Sequence, residues 1–178
     1  MLEEIILAGF GGQGVMSMGQ LLAYAGMLED KHVAWIPSYG PEMRGGTANC
    51  AVTISSTPIS SPMINEPSTV IVLNQPSLER FAVAVQKGGN LLYNSSLIST
   101  AYNREGIKVT AIPANDLAMQ LGNNRVANMI LLGAFIQLTG AVSIDSVIAS
   151  LQKVLPENRH GLIPLNRKAL ETGVELVK

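Results

Sequence analysis

At 178 residues the chain fits one domain, 1–178, and is long enough to bury a core without disulfide or metal staples. An apolar share of 47% against 14% charged residues excludes a disordered chain. It also hints at a surface partly covered by a partner. The net charge is −1 and no run of Lys or Arg occurs, so the basic stripe that neutralises nucleic-acid phosphates is missing.

The single Cys50 cannot close an internal disulfide, and no Cys/His cluster offers ligands for zinc or an iron–sulfur cluster. The N-terminal Met1-Leu2-Glu3-Glu4 is acidic where a signal peptide is basic, and no apolar run reaches the roughly 18 residues of a membrane span. The expectation is a soluble, cytoplasmic protein that binds neither nucleic acid nor membrane.

Ile5 to Ala8 is a short apolar run ending at glycines, the pattern of a buried strand. Val15, Met18, Leu21, Leu22, Ala25 and Leu28 then share one helical stripe. His32 to Ile36 is the next strand, stopped by Pro37. Strand, glycine turn, helix and strand open a doubly wound fold. From Ala48 to Ser55 apolar and polar residues alternate, and the Gly/Pro loop before them is too short for a parallel crossover. This strand is therefore expected to run antiparallel to its neighbour.

Ser55 to Ser68, with three prolines, predicts a long irregular loop of the functional or interfacial kind. Val70–Leu73, Leu91–Tyr93 and Ile107–Ile112 read as further strands, and Pro76–Val85 as a helix with proline in its first turn. Asn115 is placed as the cap of a short helix ending at Gly122. Arg125 to Leu138 is apolar all round, so it is buried either centrally or against another chain, and the isolated chain is expected to self-associate. A helix capped by Ser143 and a last helix from Pro164, with charged Arg167, Glu171, Glu175 and Lys178, complete the chain. The fold class is α/β: a three-layer α/β/α sandwich with a mixed, mostly parallel sheet and a Rossmann-like glycine-rich first βα turn.

Two constellations carry chemistry. Gly9-Phe10-Gly11-Gly12-Gln13-Gly14 satisfies G-x-G-x-x-G between a strand and a helix, where backbone amides attract phosphate. The same glycines also suit a tight turn packed against another chain. A dinucleotide reading wants a ribose-binding acid at the end of the second strand, but that strand runs into Ile36-Pro37-Ser38-Tyr39. The second constellation is Arg44-Gly45-Gly46, an unshielded guanidinium fork for phosphate or carboxylate, or equally an ion pair with Glu42 or a partner's acid. Cys50 reads as an inert core thiol, and no acid/base pair, triad or metal set can be assembled.

Taken together, Gly9-Phe10-Gly11-Gly12-Gln13-Gly14-Val15, Pro37-Ser38-Tyr39-Gly40-Pro41-Glu42-Met43-Arg44-Gly45-Gly46 and Ile59-Ser60-Ser61-Pro62 resemble the gamma family of 2-oxoacid:ferredoxin oxidoreductases. The likeness continues through Leu73-Asn74-Gln75-Pro76-Ser77-Leu78, Asn128-Met129-Ile130-Leu131-Leu132-Gly133 and Leu165-Asn166-Arg167-Lys168-Ala169-Leu170, nearly the whole chain.

The resemblance implies a gamma subunit that is inactive alone. Its partners are alpha and beta subunits carrying thiamine diphosphate and a ferredoxin-like delta subunit, with iron–sulfur clusters also outside this chain. The assembled enzyme converts a 2-oxoacid and CoA to acyl-CoA and CO2 and passes electrons to ferredoxin. The short isolated form looks most like the 2-oxoglutarate branch. CoA is the ligand expected at Gly9, Gly11, Gly12, Gln13, Gly14, Arg44, Gly45 and Gly46, with no catalytic or metal-binding residue in the chain. Two rivals stand beside this reading: a free-standing NAD(P)-dependent reductase and a ligand-free scaffold subunit.

Overall fold

The computed structural model describes residues 1–39 and 46–178. Six strands form one sheet in the order β2-β3-β1-β4-β5-β6. They are β1 (Leu2–Phe10), β2 (His32–Tyr39), β3 (Thr47–Ser55), β4 (Thr69–Val72), β5 (Asn90–Asn94) and β6 (Lys108–Ile112). β1, β4, β5 and β6 are parallel, and β3 runs antiparallel to both of its neighbours, β1 and β2. The mixed sheet and the antiparallel third strand agree with the sequence. The placement of β3 between β1 and β2 was not foreseen.

Strand alternation sorts the side chains onto two faces. Ile5, Leu7, Cys50, Val52, Ile54, Ile71 and Leu92 face the larger core, built with α1 (Val15–Leu28) and α4 (Ala127–Thr139). Ala8, Val70, Val72, Leu91 and Tyr93 face a smaller core closed by Leu78 and Ala82 from α2 (Gln75–Phe81) and the turn after it. The three layers are thus unequal. α5 (Ile144–Val154) packs on α1, and α6 (Ile163–Glu175) on α4, and their Val147, Leu151, Ala169 and Leu170 complete the larger core.

Two local expectations need correction. β2 does not stop at Pro37 but continues to Tyr39, with Pro37 opposite Cys50. An edge strand tolerates a residue without an N–H, and β2 is an edge. Asn115 does not cap its helix: α3 (Ala114–Gln120) starts after Pro113 without a side-chain cap, because the Asn115 carboxamide is drawn sideways to Asn94 and Asn124. A 3-10 helix, Glu157–Leu162, precedes α6, and His160 within it bonds the Leu155 carbonyl at 3.0 Å. Every residue of α4 from Ala127 to Ile136 is buried by the chain's own elements. Of the two placements open to it, the helix takes the central one, with only its last turn, Gln137–Thr139, outside the core.

Other local signals hold. Ser143 caps α5 through Ser146 N–H, and α2 carries Pro76 in its first turn, with a cap from Asn74 to Ser77 N–H that the sequence reading did not name. No helix or strand forms between Ser55 and Thr69. Arg167 of α6 bridges Asp145 and Glu171, while Lys178 meets Glu175. Among the described residues no helix is long and apolar enough to cross a membrane.

Candidate functional site

The glycine turn sits where β1 ends. Gly9 is buried, and a Cβ there would lie 2.6 Å from Gln13 Oε1. Gly11 N–H donates to the Gly46 carbonyl at 2.9 Å, tying the turn to the start of β3. Gly14 is the N-cap of α1 at φ 80°, with no side-chain cap and no acid in the first turn. That conformation costs an ordinary residue strain, and a Cβ would also strike the Asn128 carboxamide. The helix therefore starts with unneutralised amides, the arrangement that favours an anion.

Gln13 has a role that the motif alone did not reveal. Its Oε1 accepts from Phe10 N–H at 2.7 Å, and its Nε2 donates to the Leu73 carbonyl at 3.3 Å. One side chain thus closes the turn upon itself and straps it to the end of β4.

β1 and β4 are parallel neighbours whose following helices leave to opposite faces, α1 toward the larger core and α2 toward the smaller. Such a topological switch point opens a crevice at the carboxyl ends of the strands, where ligands bind in open α/β sheets. Two adjoining clefts lie there, and both are lined by Gly12, Gln13, Arg125 and Asn128. The first, of about 390 Å³, adds Gly14, Ser17, Arg159 and Asn166. The second, of about 340 Å³, adds Leu73, Leu97, Asn115 and Asn124. No carboxylate lines either cleft among the described residues.

Gly9, Gly11, Gly12, Gln13, Gly14 and Gly46 are therefore gathered at one sheet edge. Arg44 and Gly45 lie outside the described residues. β1 and β2 are not neighbours in the sheet, since β3 stands between them. The two strands still point the same way, so β2 ends and β3 begins at the edge that holds the glycine turn. Arg125, Arg159, Asn124 and Asn128 were missed as site residues. They arrive from the turn before α4, from α4 itself and from the 3-10 helix before α6, far along the chain, and no local motif marks them.

Two features argue against other chemistry at this edge. The parallel neighbour of β1 ends in Leu73-Asn74, so the ribose-binding acid of a dinucleotide site is missing there as well. Cys50 is fully buried, 3.6 Å from the Val15 carbonyl, and burial pushes its thiol up to about 12. It is an unreactive core group.

Residues 4–176 match the family model of pyruvate ferredoxin/flavodoxin oxidoreductase. The chain belongs to this family. It is 39% identical over 173 residues to ketoisovalerate oxidoreductase subunit VorA of Methanothermobacter thermautotrophicus, covering 97% of this chain but 36% of that one. It is 33% identical over 185 residues to 2-oxoglutarate synthase subunit KorC of Methanocaldococcus jannaschii, covering 100% of this chain and 95% of KorC. The chain thus spans about a third of VorA and nearly all of KorC. Among solved structures, the gamma subunit of a keto/oxoacid ferredoxin oxidoreductase from Geobacter sulfurreducens superposes with a TM-score of 0.83 at 30% identity, covering 98% of both chains. The 2-oxoglutarate:ferredoxin oxidoreductase of Magnetococcus marinus, solved with 2-oxoglutarate, coenzyme A and succinyl-CoA bound, superposes with a TM-score of 0.89 over 99% of this chain and 31% of its own. At 22% identity this second likeness shows the fold alone.

Proposed function

We propose that the whole chain acts as a single-domain gamma subunit of a multi-subunit 2-oxoacid:ferredoxin oxidoreductase, and that its own task is to hold CoA at the crevice beside Gly12–Gly14. The carrying observation is the arginine- and carboxamide-bearing, carboxylate-free lining of the two clefts at the β1/β4 switch point among the described residues, in a chain whose family match runs from 4 to 176. Helix-start amides, two arginines and several carboxamides suit the phosphates of CoA and repel nothing in them. Gly9, Gly11, Gln13 and Gly46 shape the turn, Gly12 and Gly14 line it, and Arg44 and Gly45 come between β2 and β3 in sequence and would add to the same CoA site.

The reaction groups lie elsewhere in this reading. A four-thiolate cluster needs cysteines that a chain with only Cys50 cannot supply. Thiamine diphosphate belongs to alpha and beta subunits, and the clusters to partner chains including a ferredoxin-like delta subunit. The assembled enzyme would release CO2 from the 2-oxoacid, transfer the acyl group to CoA sulfur and deliver two electrons to ferredoxin. The likeness to KorC supports 2-oxoglutarate as substrate and the likeness to VorA supports ketoisovalerate.

The test is reconstitution. The purified chain should bind CoA but reduce no viologen dye with any 2-oxoacid, and turnover should appear when the partner subunits are added. The rate on 2-oxoglutarate against ketoisovalerate then names the substrate. Turnover by the chain alone would overturn the subunit reading.

A further inference from the structure

Asn94 is fully buried at the end of β5, and a line of carboxamides runs from it to the mouth of the second cleft. Ser96 N–H donates to Asn94 Oδ1 at 3.3 Å. A backbone amide can only donate, so this bond sets which way the Asn94 carboxamide is turned. Asn94 Nδ2 must then donate onward, and it meets Asn115 Oδ1 at 2.6 Å. Asn115 Nδ2 in turn meets Asn124 Oδ1 at 2.7 Å. With its oxygen occupied, Asn124 has its NH2 group to offer at the cleft. The orientation of an exposed side chain is thus dictated by one backbone N–H three residues of relay away.

Arg125 follows directly, is exposed, and lines both clefts. Its backbone N–H is held by the Asn123 carboxamide at 3.0 Å, which pins the turn that carries it. Asn124 and Arg125 therefore form a second all-donor group, separate in sequence from the glycine turn yet on the same crevice. CoA carries anionic charge at two places, the diphosphate and the 3′-phosphate of its ribose. Two donor groups meet two anionic groups.

Resting on the CoA reading above, we infer that Arg125 and the Asn124 amide seat the ribose 3′-phosphate while the amides at the start of α1 take the diphosphate. The compact phosphomonoester suits a planar guanidinium fork, whereas two linked phosphates suit a row of helix-start amides. Asn94 and Asn115 are positioning residues, which keep Asn124 turned as a donor.

Calorimetric titration of the assembled enzyme, without 2-oxoacid, with CoA and with dephospho-CoA tests this as a double cycle. Arg125→Ala should weaken CoA by about 10- to 100-fold, the loss of a charged hydrogen bond to phosphate, and leave dephospho-CoA unchanged. Asn124→Ala should show the same selectivity with a smaller loss. Both side chains are exposed, and an unshifted thermal midpoint checks that the fold persists. Equal losses for the two nucleotides, or no loss for either, would overturn the seat while the CoA reading stands. Failure of the unaltered enzyme to bind either nucleotide would overturn the CoA reading and this inference with it.

Discussion

Gly133 of α4 and Gly173 of α6 bring the two helices backbone to backbone: a Cβ on the first would collide with the Leu170 carbonyl, and one on the second with the Ile130 carbonyl. This crossing closes the larger core, and it gives a physical reason for the glycine that ends Asn128-Met129-Ile130-Leu131-Leu132-Gly133. α4 cannot be buried on every side unless one neighbour comes this close.

Gly133→Ala should therefore destabilise the protein despite the better helix propensity of alanine, which is worth about 1 kcal/mol. The obstruction is backbone rather than a flexible side chain, so overpacking of about 3 kcal/mol or more should prevail. Urea denaturation measures it. A midpoint equal to or above that of the unaltered chain would show that the helices separate freely.

Gln13→Glu separates brace from ligand. Glutamate keeps the acceptor for Phe10 N–H, loses the bond to the Leu73 carbonyl, and places a negative charge in both clefts. Stability should change by about 1 kcal/mol, the worth of one hydrogen bond. CoA affinity should fall about tenfold or more through like-charge repulsion. Unchanged CoA affinity would remove the phosphate from the neighbourhood of the turn.

Arg44→Ala in the assembled enzyme distinguishes the two roles open to the β2–β3 connection. If Arg44 meets a CoA phosphate, affinity for CoA should drop by about 10- to 100-fold with the complex intact on gel filtration. If the subunits separate and CoA affinity holds, the connection is an interface.

Glu29 should contribute to the loss of stability in acid. Burial alone would raise its pKa, but the ammonium of Lys31, the backbone N–H of Ser143 and the hydroxyls of Ser146 and Ser143 outweigh it and lower the value from 4.5 to about 2. Lys31 meets Glu29 at 2.6 Å and also bonds the Ala141 carbonyl, so the end of α1 is tied to the α4–α5 connection. A depressed carboxylate contributes stability that is whole above about pH 4.5 and is lost as pH falls through about 2. The contribution is on the order of 2 kcal/mol. Glu29→Gln should flatten the stability profile between these limits, measured by urea denaturation at successive pH values. An unchanged slope would assign the acid sensitivity elsewhere.

The local vocabulary of this protein was readable from its residues. Alternation in Ala48–Ser55, the stripe from Val15 to Leu28, the Ser143 cap and the glycines after Ala8 each act over a few residues, where steric and hydrogen-bonding preferences operate without help. The misreadings fell where a distant partner overrides the local signal. Pro37 stays in a strand because the sheet leaves β2 on its edge, and Asn115 gives up capping because Asn94 and Asn124 claim its carboxamide.

What the sequence by itself determined was the α/β class, the antiparallel third strand and a glycine turn between the first strand and the first helix at Gly9–Gly14. Only the tertiary structure decided that β3 lies between β1 and β2, that α4 is internal, and that Arg125, Arg159 and Asn124 share a crevice with Gly12. The reason is one of range. A backbone turn is set by neighbouring φ and ψ angles, whereas a binding cleft is made by strand order, which brings together residues more than a hundred positions apart, as Asn128 and Gly14 show.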